Sequence, residues 1–229
     1  MSERVTVREN VLKENDRIAA ELRAGFDRRG IFSVNLISSP GAGKTSILEG
    51  TLQALRATPV RAAVLTGDIQ TERDADRLRG YGFPALQITT GGTCHLDAAM
   101  VARALGSLPL DEIDVLFIEN VGNLVCPASY DLGEDVKVVV LSVTEGDDKP
   151  LKYPGIFRRA GLMLLHKVDL LPYTRFDPAA AVADARRVQP DLEVVETSCY
   201  GEPGLDGWIR WIERRRRSKA ASGPSVSSL

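Results

Sequence analysis

The sequence predicts an α/β fold in which a mainly parallel, doubly wound sheet is flanked by helices on both faces. Short apolar runs rich in Val, Ile and Leu alternate with amphipathic helical patterns, and a Gly-rich loop joins the first run to a helix. Strands that are buried on both faces and joined by helices form parallel sheets. Ligands of such sheets bind beyond the carboxyl ends of the strands, so the loops after the apolar runs are the expected site.

Seven apolar runs are predicted to be strands, in the order FSVNLI, RAAVLT, PALQIT, DVLFIE, KVVVLSV, LMLLHK and EVVET. Helices are predicted near residues 8 to 27, 45 to 57, 72 to 80, 96 to 106, 178 to 188 and 204 to 217. The first helix is expected to pack on the domain through Val11, Ile18, Leu22 and Phe26. The last helix is expected to bury Leu205, Trp208, Ile209 and Ile212.

Length and composition indicate an ordinary globular protein, since 44% of the 229 residues are hydrophobic and 26% are charged. The pattern divides it into a flanking helix (1–30), an α/β domain (31–217) and a disordered tail (218–229). The net charge of −2 predicts no attraction to nucleic acid. The first residues have neither a signal peptide nor a membrane span, so we expect a cytoplasmic protein with no membrane contact.

The loop after the first predicted strand has the features of a phosphate-binding P-loop. Its glycine spacing and GKT ending favour nucleotide binding over a purely structural turn, although Ser38 stands where the generic pattern has glycine. Backbone N–H groups would contact the phosphates, Lys44 would reach the β- and γ-phosphates from a solvent-accessible loop, and Thr45 would hold Mg²⁺. The predicted nucleotide-binding residues of the loop are Gly41, Ala42, Gly43, Lys44, Thr45 and Ser46.

Acidic residues follow two other predicted strands. Glu119 ends one of them and precedes Gly122 by three positions, as a Mg²⁺ carboxylate precedes a glycine that senses the γ-phosphate. For Asp68 we favour metal or water contact over helix capping, and for Asp74 both roles stay open. The predicted catalytic residues are Lys44, Asp68, Glu119 and Gly122. The predicted Mg²⁺ residues are Thr45, Asp68 and Glu119.

The segment HKVD carries the core of the NKxD element that recognises guanine. In it the Asp169 carboxylate would accept from the base, and the Lys167 stem would lie along its plane, but His166 replaces the usual Asn. The later stretch ETSCYGEPG lies where a purine-contacting loop is expected. GTP is therefore favoured over ATP. We expect His166 to be a hydrogen-bonded histidine and Cys199 a packed thiol, since neither has a second metal ligand nearby in sequence.

A pair of adjacent metal-ligating residues, Cys94 and His95, stands in a Gly-rich loop of a chain that has only three cysteines and two histidines. Cys126 follows Gly122 by four positions. Both cysteines come after strands whose carboxyl ends share the P-loop side of the sheet, so two thiols and one imidazole are expected to converge. Thiolate and imidazole bind Zn²⁺ and Ni²⁺, and ligand type alone does not choose between the two.

Taken together, SSPGAGKT, GDIQT, GGTCHLDA, ENVGNLVCP and KVDLLPY resemble the HypB family, the nickel-incorporation GTPases of NiFe-hydrogenase maturation. The resemblance covers roughly residues 10–215. It implies that Cys94, His95 and Cys126 bind Ni²⁺ or Zn²⁺. It also implies GTP hydrolysis with Mg²⁺, a homodimer promoted by GTP or metal with the metal site at its interface, and delivery of nickel. The implied partners are a nickel metallochaperone and the hydrogenase large subunit.

The sequence departs from the family at three points. His166 replaces the Asn of the guanine element, and SCY matches the last nucleotide loop only loosely. The N-terminal residues contain no Cys-rich or His-rich metal motif, so metal is expected only at the switch-linked site. Hydrolysis is expected to be slow, because no arginine finger is identifiable.

Two other interpretations remain at this point. A urease-type nickel accessory GTPase is expected to carry Cys-Pro-His, where this chain has Cys-Pro-Ala at 126 to 128. A P-loop small-molecule kinase with incidental cysteines needs a lid arginine cluster, for which FRRAG at 157 to 161 is the candidate, although a solvated helix face is favoured there. The run RRRR at 214 to 217 is interpreted as the cationic end of the last helix rather than as a nucleic-acid patch.

Overall fold

The computed structural model describes residues 3–68 and 73–222. Its strands are β1 (Phe32–Ser38), β2 (Ala62–Asp68), β3 (Ala85–Thr89), β4 (Val115–Glu119), β5 (Val136–Ser142), β6 (Ala160–His166) and β7 (Glu193–Thr197). Its helices are α1 (Glu3–Arg29), α2 (Lys44–Leu55), α3 (Arg73–Arg79), α4 (Ala98–Leu105), α5 (Lys149–Lys152), α6 (Pro154–Arg159), α7 (Pro178–Val188) and α8 (Asp206–Ser222). Short 3-10 turns lie at Leu110–Glu112, Cys126–Ser129 and Val168–Tyr173.

The seven strands form one sheet in the order β3-β2-β4-β1-β5-β6-β7, and every neighbouring pair is parallel. The predicted fold class is confirmed, and all seven apolar runs are strands. The runs are mostly apolar because the central strands are buried on both faces, as in β1, where all seven residues are buried. The carboxyl ends of all seven strands therefore meet at one edge, where the site is expected.

Two layers of helices cover the sheet. On one face, residues of α2 and α8 form a core with the central strands, in which Leu48, Phe117 and Trp208 are fully buried. On the other face, α1 and α4 cover the β2–β4 side through residues such as Phe26 and Val101. The helices α6 and α7 cover the β5–β6 side of the same face. Both layers hold the sheet rigid beneath its carboxyl edge.

The first helix packs on the domain through Leu22 and Phe26, as predicted, but the rest of its buried face differs from the prediction. Phe26 is 2% exposed, whereas Val11 is 52% exposed and lies outside the core. Asn15 and Ala19 are buried instead. The buried stripe is shifted because Asn15 hydrogen-bonds inside the domain, with Asp131 O at 2.9 Å and with the Ala98 N–H at 2.9 Å. The spacing of apolar residues in the sequence had predicted that Val11 would lie on the buried face of this helix.

The last helix is longer than predicted and extends to Ser222. Residues 218–222 of the predicted disordered tail are thus helical, and residues 223–229 lie outside the described part of the chain. The Lys219 ammonium group is held by Asp27 and Asp135. The basic run 214–217 consequently lies within the helix and not at its end. Trp211, which the predicted core face omitted, is 2% exposed and stacks on Trp208 with ring centroids 5.5 Å apart.

The segment FRRAG forms the end of α6, with Phe157 buried and both arginines exposed, as expected of a solvated helix face. None of its residues lines the cavity that the P-loop borders at the carboxyl edge of the sheet. Among the helices of the described residues, none combines the length and the hydropathy that crossing a bilayer requires.

Candidate functional site

A cavity of about 730 Å³ opens at the carboxyl edge of the sheet. It is lined by the loops that follow β1, β2, β4, β6 and β7. The predicted site residues in its lining are Gly41, Gly43, Lys44, Thr45, Ser46, Asp68, Glu119, Gly122, Lys167 and Asp169. Ala42 is buried beneath the loop and is not among the lining residues. The topology therefore brings together predicted site residues as far apart in the sequence as Gly41 and Asp169.

The P-loop between β1 and α2 has the backbone that its glycines permit. Gly41 has φ of 73° and Gly43 has φ of 109°, both in the left-handed region that disfavours other residues. A Cβ at Gly43 would also lie 2.6 Å from Cδ2 of His166. Glycine is thus required at position 43 both by the turn and by the close approach of the imidazole. The loop then ends directly at the N-terminus of α2, which is the arrangement that binds phosphate.

Lys44 is only 7% exposed, although the P-loop that carries it is solvent-accessible at Pro40 and Gly41, as predicted. Its ammonium group donates to the Ser38 hydroxyl at 3.0 Å. Burial lowers the pKa of Lys44, and the nearby Glu119 carboxylate opposes that shift. Ser38, where the generic motif has glycine, therefore supplies a polar partner that holds the lysine in the loop.

Thr45 and Glu119 form the candidate Mg²⁺ site. The Thr45 hydroxyl donates to Oε1 of Glu119 at 2.8 Å, and Oε2 of Glu119 is buried with no hydrogen-bond partner in the described structure. A buried carboxylate oxygen without a partner is costly unless a cation or a donor meets it. Hydroxyl and carboxylate oxygens are the ligands that Mg²⁺ takes beside phosphates. The residues present therefore fit the ion.

Burial raises the pKa of Glu119 to about 7, and the Lys44 ammonium group only partly offsets this effect. The folded-state pKa is above the unfolded value, so the contribution to stability is complete below pH 4.5 and is lost as the pH rises through about 7. Without nucleotide, we expect the parent to lose up to about 3 kcal/mol of unfolding free energy from this source between pH 5 and pH 8. Glu119→Gln, which does not ionise, should lose less over the same range. Urea unfolding at both pH values measures this, and identical pH profiles for the two proteins would contradict it.

The other predicted switch residues meet the P-loop from the sides. At Gly122, a Cβ would lie 2.9 Å from Cα of Pro40, so this glycine lets the loop after β4 touch the P-loop backbone. Asp68 ends β2 and lines the cavity. Asp74 also lines it, and its carboxylate lies 3.5 Å from the Arg77 guanidinium. Residues 69–72 between them lie outside the described residues.

The candidate base site is formed by the loops after β6 and β7. Lys167 is the one described non-glycine residue with positive φ, 63°, and its ammonium group donates to Gly41 O at 2.8 Å. Asp169 accepts from the Ser198 hydroxyl at 2.6 Å, and this hydroxyl also accepts from the N–H groups of Tyr200 and Gly201. The loose SCYG match is therefore ordered around Asp169 by the Ser198 side chain.

His166 is 1% exposed, and its Nδ1 lies 3.0 Å from Oγ1 of Thr197. Its Nε2 lies 3.8 Å from the Cys199 thiol. Burial lowers the pKa of His166 to about 4, with a further contribution from the Lys167 charge, so the imidazole is neutral at physiological pH. The expectation of a hydrogen-bonded histidine holds. Cys199 packs against it on the cavity wall, and burial raises the pKa of this thiol.

The predicted metal residues Cys94, His95 and Cys126 come together, with their ligand atoms all within 4.8 Å of one another. The Cys94 thiol donates toward Sγ of Cys126 at 2.8 Å and lies 3.9 Å from Nδ1 of His95. The His95 ring stacks on Tyr130 with centroids 3.8 Å apart. All three ligand residues are half-buried, so a metal ion can reach them.

Among the polar and aromatic residues that line the cavity, Arg77, Asn120 and Tyr200 were not predicted from the sequence. Arg77 and Tyr200 line it, and the Arg77 guanidinium is held by Glu49 at 2.6 Å. Tyr200 is 89% exposed beside the candidate base site, where an aromatic ring is available to stack on a bound base. Asn120 lies directly after Glu119 and was passed over as part of a motif. Asn120 is 1% exposed, and this burial could not be predicted from the sequence, because a polar residue after a strand is expected to lie in an exposed loop.

Comparison with known proteins gives a consistent result. Residues 33–196 match the family model described as CobW/HypB/UreG, nucleotide-binding domain. The chain is 54% identical over 219 residues to the hydrogenase maturation factor HypB of Azotobacter vinelandii, covering 95% of this chain and 72% of that protein. It is 55% identical over 207 residues to HypB of Escherichia coli K12, covering 90% and 71%. The structure of Helicobacter pylori HypB in complex with nickel superimposes with a TM-score of 0.85 at 39% identity, covering 94% and 100%.

Proposed function

Since the chain belongs to the HypB group of the CobW/HypB/UreG family, we propose that it is a GTP-hydrolysing metallochaperone that binds Ni²⁺ and delivers it for hydrogenase maturation. The observation that carries the proposal is that Cys94, His95 and Cys126 converge on loops that follow β3 and β4, at the same edge of the sheet as the P-loop cavity. Cys126 begins four positions after Gly122, the glycine that touches the P-loop. One proposed nickel ligand, Cys126, and one proposed γ-phosphate contact, Gly122, thus lie on the same short loop after β4.

Within the nucleotide cavity, the roles follow from the contacts. Lys44 supplies a desolvated positive charge at the β- and γ-phosphates. There it stabilises the negative charge of the phosphates in place of water. Thr45, Asp68 and Glu119 would hold Mg²⁺, which supplies charge stabilisation to the phosphates when it is bound. Gly122 would contact the γ-phosphate through its backbone N–H. We expect slow turnover, because Arg77 is held by Glu49 and Asp74 rather than pointing alone into the cavity.

Guanine is the proposed base, read by Asp169 and covered by the Lys167 stem. We expect Asp169→Asn to weaken GTP binding and to improve binding of xanthosine triphosphate, whose ring presents an acceptor where guanine presents a donor. Isothermal titration with GTP, ATP and xanthosine triphosphate measures both changes. Asp184→Asn, an exchange of the same kind on the surface helix α7, is the matched control. Unchanged GTP affinity in Asp169→Asn would place the base elsewhere.

The metal cluster supplies three side chains from one chain, while closed Zn²⁺ sites and planar Ni²⁺ sites take four ligands. We therefore propose a homodimer that shares Cys94 and Cys126 across a two-fold axis, with His95 as an alternative ligand. The exposed Val125 beside Cys126, at 60%, supports an interface there. The proposed acceptors are a partner metallochaperone and the hydrogenase large subunit, and the proposed compartment is the cytoplasm.

The two alternative functions have less support. The relatives at 54% and 55% identity are hydrogenase maturation factors, and Ala128 stands where a urease-type protein is expected to have His. A small-molecule kinase with incidental cysteines does not explain why two thiols and an imidazole converge within 4.8 Å. Neither alternative has an observation of its own in the described residues.

Linked titrations test the proposed function. If the nucleotide state sets the metal site, then Ni²⁺ affinity measured with a non-hydrolysable GTP analogue should differ from that measured with GDP, by about 5- to 150-fold. Linkage requires Ni²⁺ to change the affinity for the analogue, relative to GDP, by the same factor. Competition with a chromophoric chelator gives the metal affinities. Equal Ni²⁺ affinity in both nucleotide states, or no Ni²⁺ binding at all, would contradict the metallochaperone function.

A further inference from the structure

A chain of buried polar side chains runs beneath the nucleotide and metal loops. It contains Asn35 of β1, Asn120 after β4, and Glu134 and Lys137 around the start of β5. Asn35, Asn120 and Glu134 are 0%, 1% and 6% exposed. Buried polar groups of this kind are costly unless each is partnered, and fully partnered networks hold their neighbours in one arrangement.

Asn120 ties the nucleotide loop to the loop of Cys94 and His95. Its backbone N–H donates to Leu36 O at 3.0 Å, which continues the pairing of β4 with β1 just beyond Glu119. Its side-chain carbonyl accepts from the Leu96 N–H at 3.2 Å and from its own neighbour Val121 at 3.0 Å. One side chain therefore joins the segment of Glu119 to the residue that directly follows His95.

The contact between these two loops is also tight in its packing. Leu96 is fully buried, and a Cβ at Gly67 would lie 2.8 Å from the Leu96 side chain. Gly67 directly precedes Asp68 at the end of β2. The Leu96 side chain thus packs against the end of β2, which carries Asp68. The Leu96 N–H donates to the side chain of Asn120, which directly follows Glu119.

The second arm of the network reaches the loop of Cys126. The Asn120 amide donates to Oδ1 of Asn35 at 3.3 Å, and the Asn35 amide donates to Oε1 of Glu134 at 3.0 Å. Lys137 pairs with Glu134 and donates to Tyr130 O at 2.7 Å. Tyr130 carries the ring on which His95 stacks.

Both metal-bearing loops are therefore held by bonds that meet at one residue. The Cys94–His95 loop reaches Asn120 directly, through Leu96. The segment after Cys126 reaches it through Lys137, Glu134 and Asn35. Asn120 lies between Glu119 and Gly122, the two predicted nucleotide-sensing residues of that loop.

We propose that Asn120 is a positioning residue that couples the nucleotide state to the geometry of the Cys94–His95–Cys126 cluster. The inference rests on the proposed function and adds the route of coupling to it. When Glu119 or Gly122 shifts, the Asn120 side chain shifts with it. The Leu96 N–H is buried away from solvent, so water cannot replace the hydrogen bond to Asn120 if that bond is lost. The separation of the ligand atoms then changes with the nucleotide, and metal affinity falls steeply when ligand geometry is lost.

The test compares two variants in the linked titration. Asn120→Ala removes the bond to Leu96, whereas Asn15→Ala removes a matched bond from a buried Asn to the neighbouring Ala98 N–H without touching the nucleotide loop. Ni²⁺ affinity is measured with GDP and with a non-hydrolysable GTP analogue. We expect the ratio of the two affinities to fall to within about twofold of unity in Asn120→Ala. In Asn15→Ala the ratio should equal that of the parent, even where both affinities change.

The possible outcomes separate the inference from the proposed function. A parent ratio far from unity that Asn120→Ala leaves unchanged would overturn the role of Asn120 and leave the metallochaperone function standing. Equal losses in both variants would also overturn it, because general loosening of the metal loop would then suffice. A parent ratio of unity would overturn the proposed switch and this inference with it. Should Asn120→Ala fail to fold, as judged by circular dichroism, Asn120→Ser, whose hydroxyl is one bond shorter and does not reach Leu96, is tested with the same expectation.

Discussion

Replacing Lys44 with alanine is expected to lower GTP hydrolysis by at least about 100-fold, the scale on which removal of one preorganised charge-stabilising group acts. The side chain is buried in the P-loop, so its charge meets the phosphates with little screening by water. The measurement is single-turnover hydrolysis at saturating GTP, which separates the chemical step from binding.

The same variant is expected to keep its fold. Burial of the Lys44 ammonium group is itself costly, and alanine removes that cost together with the attraction to Glu119 and the bond to Ser38. The free energy of unfolding should therefore change by no more than about 2 kcal/mol. Lys152→Ala is the matched control, because this lysine is exposed and pairs only with Asp148 among the described contacts. Hydrolysis by Lys44→Ala at the parent rate would exclude the P-loop mechanism.

Replacing Cys94 with alanine is expected to weaken Ni²⁺ binding by at least about 100-fold, since even the loss of an outer partner of a metal ligand costs 10- to 100-fold. If the metal is shared between two subunits, Ni²⁺ should promote the dimer of the parent and leave this variant monomeric. Sedimentation with and without Ni²⁺ measures association, and chelator competition measures affinity. Cys126→Ala should behave in the same way, because the two sulfur atoms lie 2.8 Å apart.

The third cysteine gives a matched control for these variants. Cys199 lies against His166 on the wall of the nucleotide cavity, away from the metal cluster. Cys199→Ala should therefore bind Ni²⁺ as tightly as the parent, and Ni²⁺ should promote its dimer as it promotes that of the parent. If Cys94→Ala binds Ni²⁺ equally well and association does not respond to metal, the cluster is not the cargo site.

The order of the strands and the meeting of the candidate site residues at one edge of the sheet were predictable from the sequence. The central strands are buried on both faces, so their apolar runs stand out without knowledge of the fold, and parallel connection follows from the helices between the strands. The P-loop is equally local, because Gly41 and Gly43 adopt left-handed conformations that the motif itself requires. The metal cluster needed one further rule, that parallel strands end at the same edge, to bring Cys94 near Cys126.

Side-chain environments were decided only by the tertiary structure. The P-loop was expected to be solvent-accessible, but only the tertiary structure shows that the Lys44 side chain is buried, with the Ser38 hydroxyl as its hydrogen-bond partner and the Glu119 carboxylate nearby. Val11 has the apolar character of a core residue, yet the helix turns Asn15 inward, where partners 83 and 116 positions away satisfy it. Asn120 likewise draws its partners from β1 and from the metal loop. Local pattern determines which residues form strands and phosphate loops, whereas burial and hydrogen bonding depend on distant segments that meet only when the sheet is assembled.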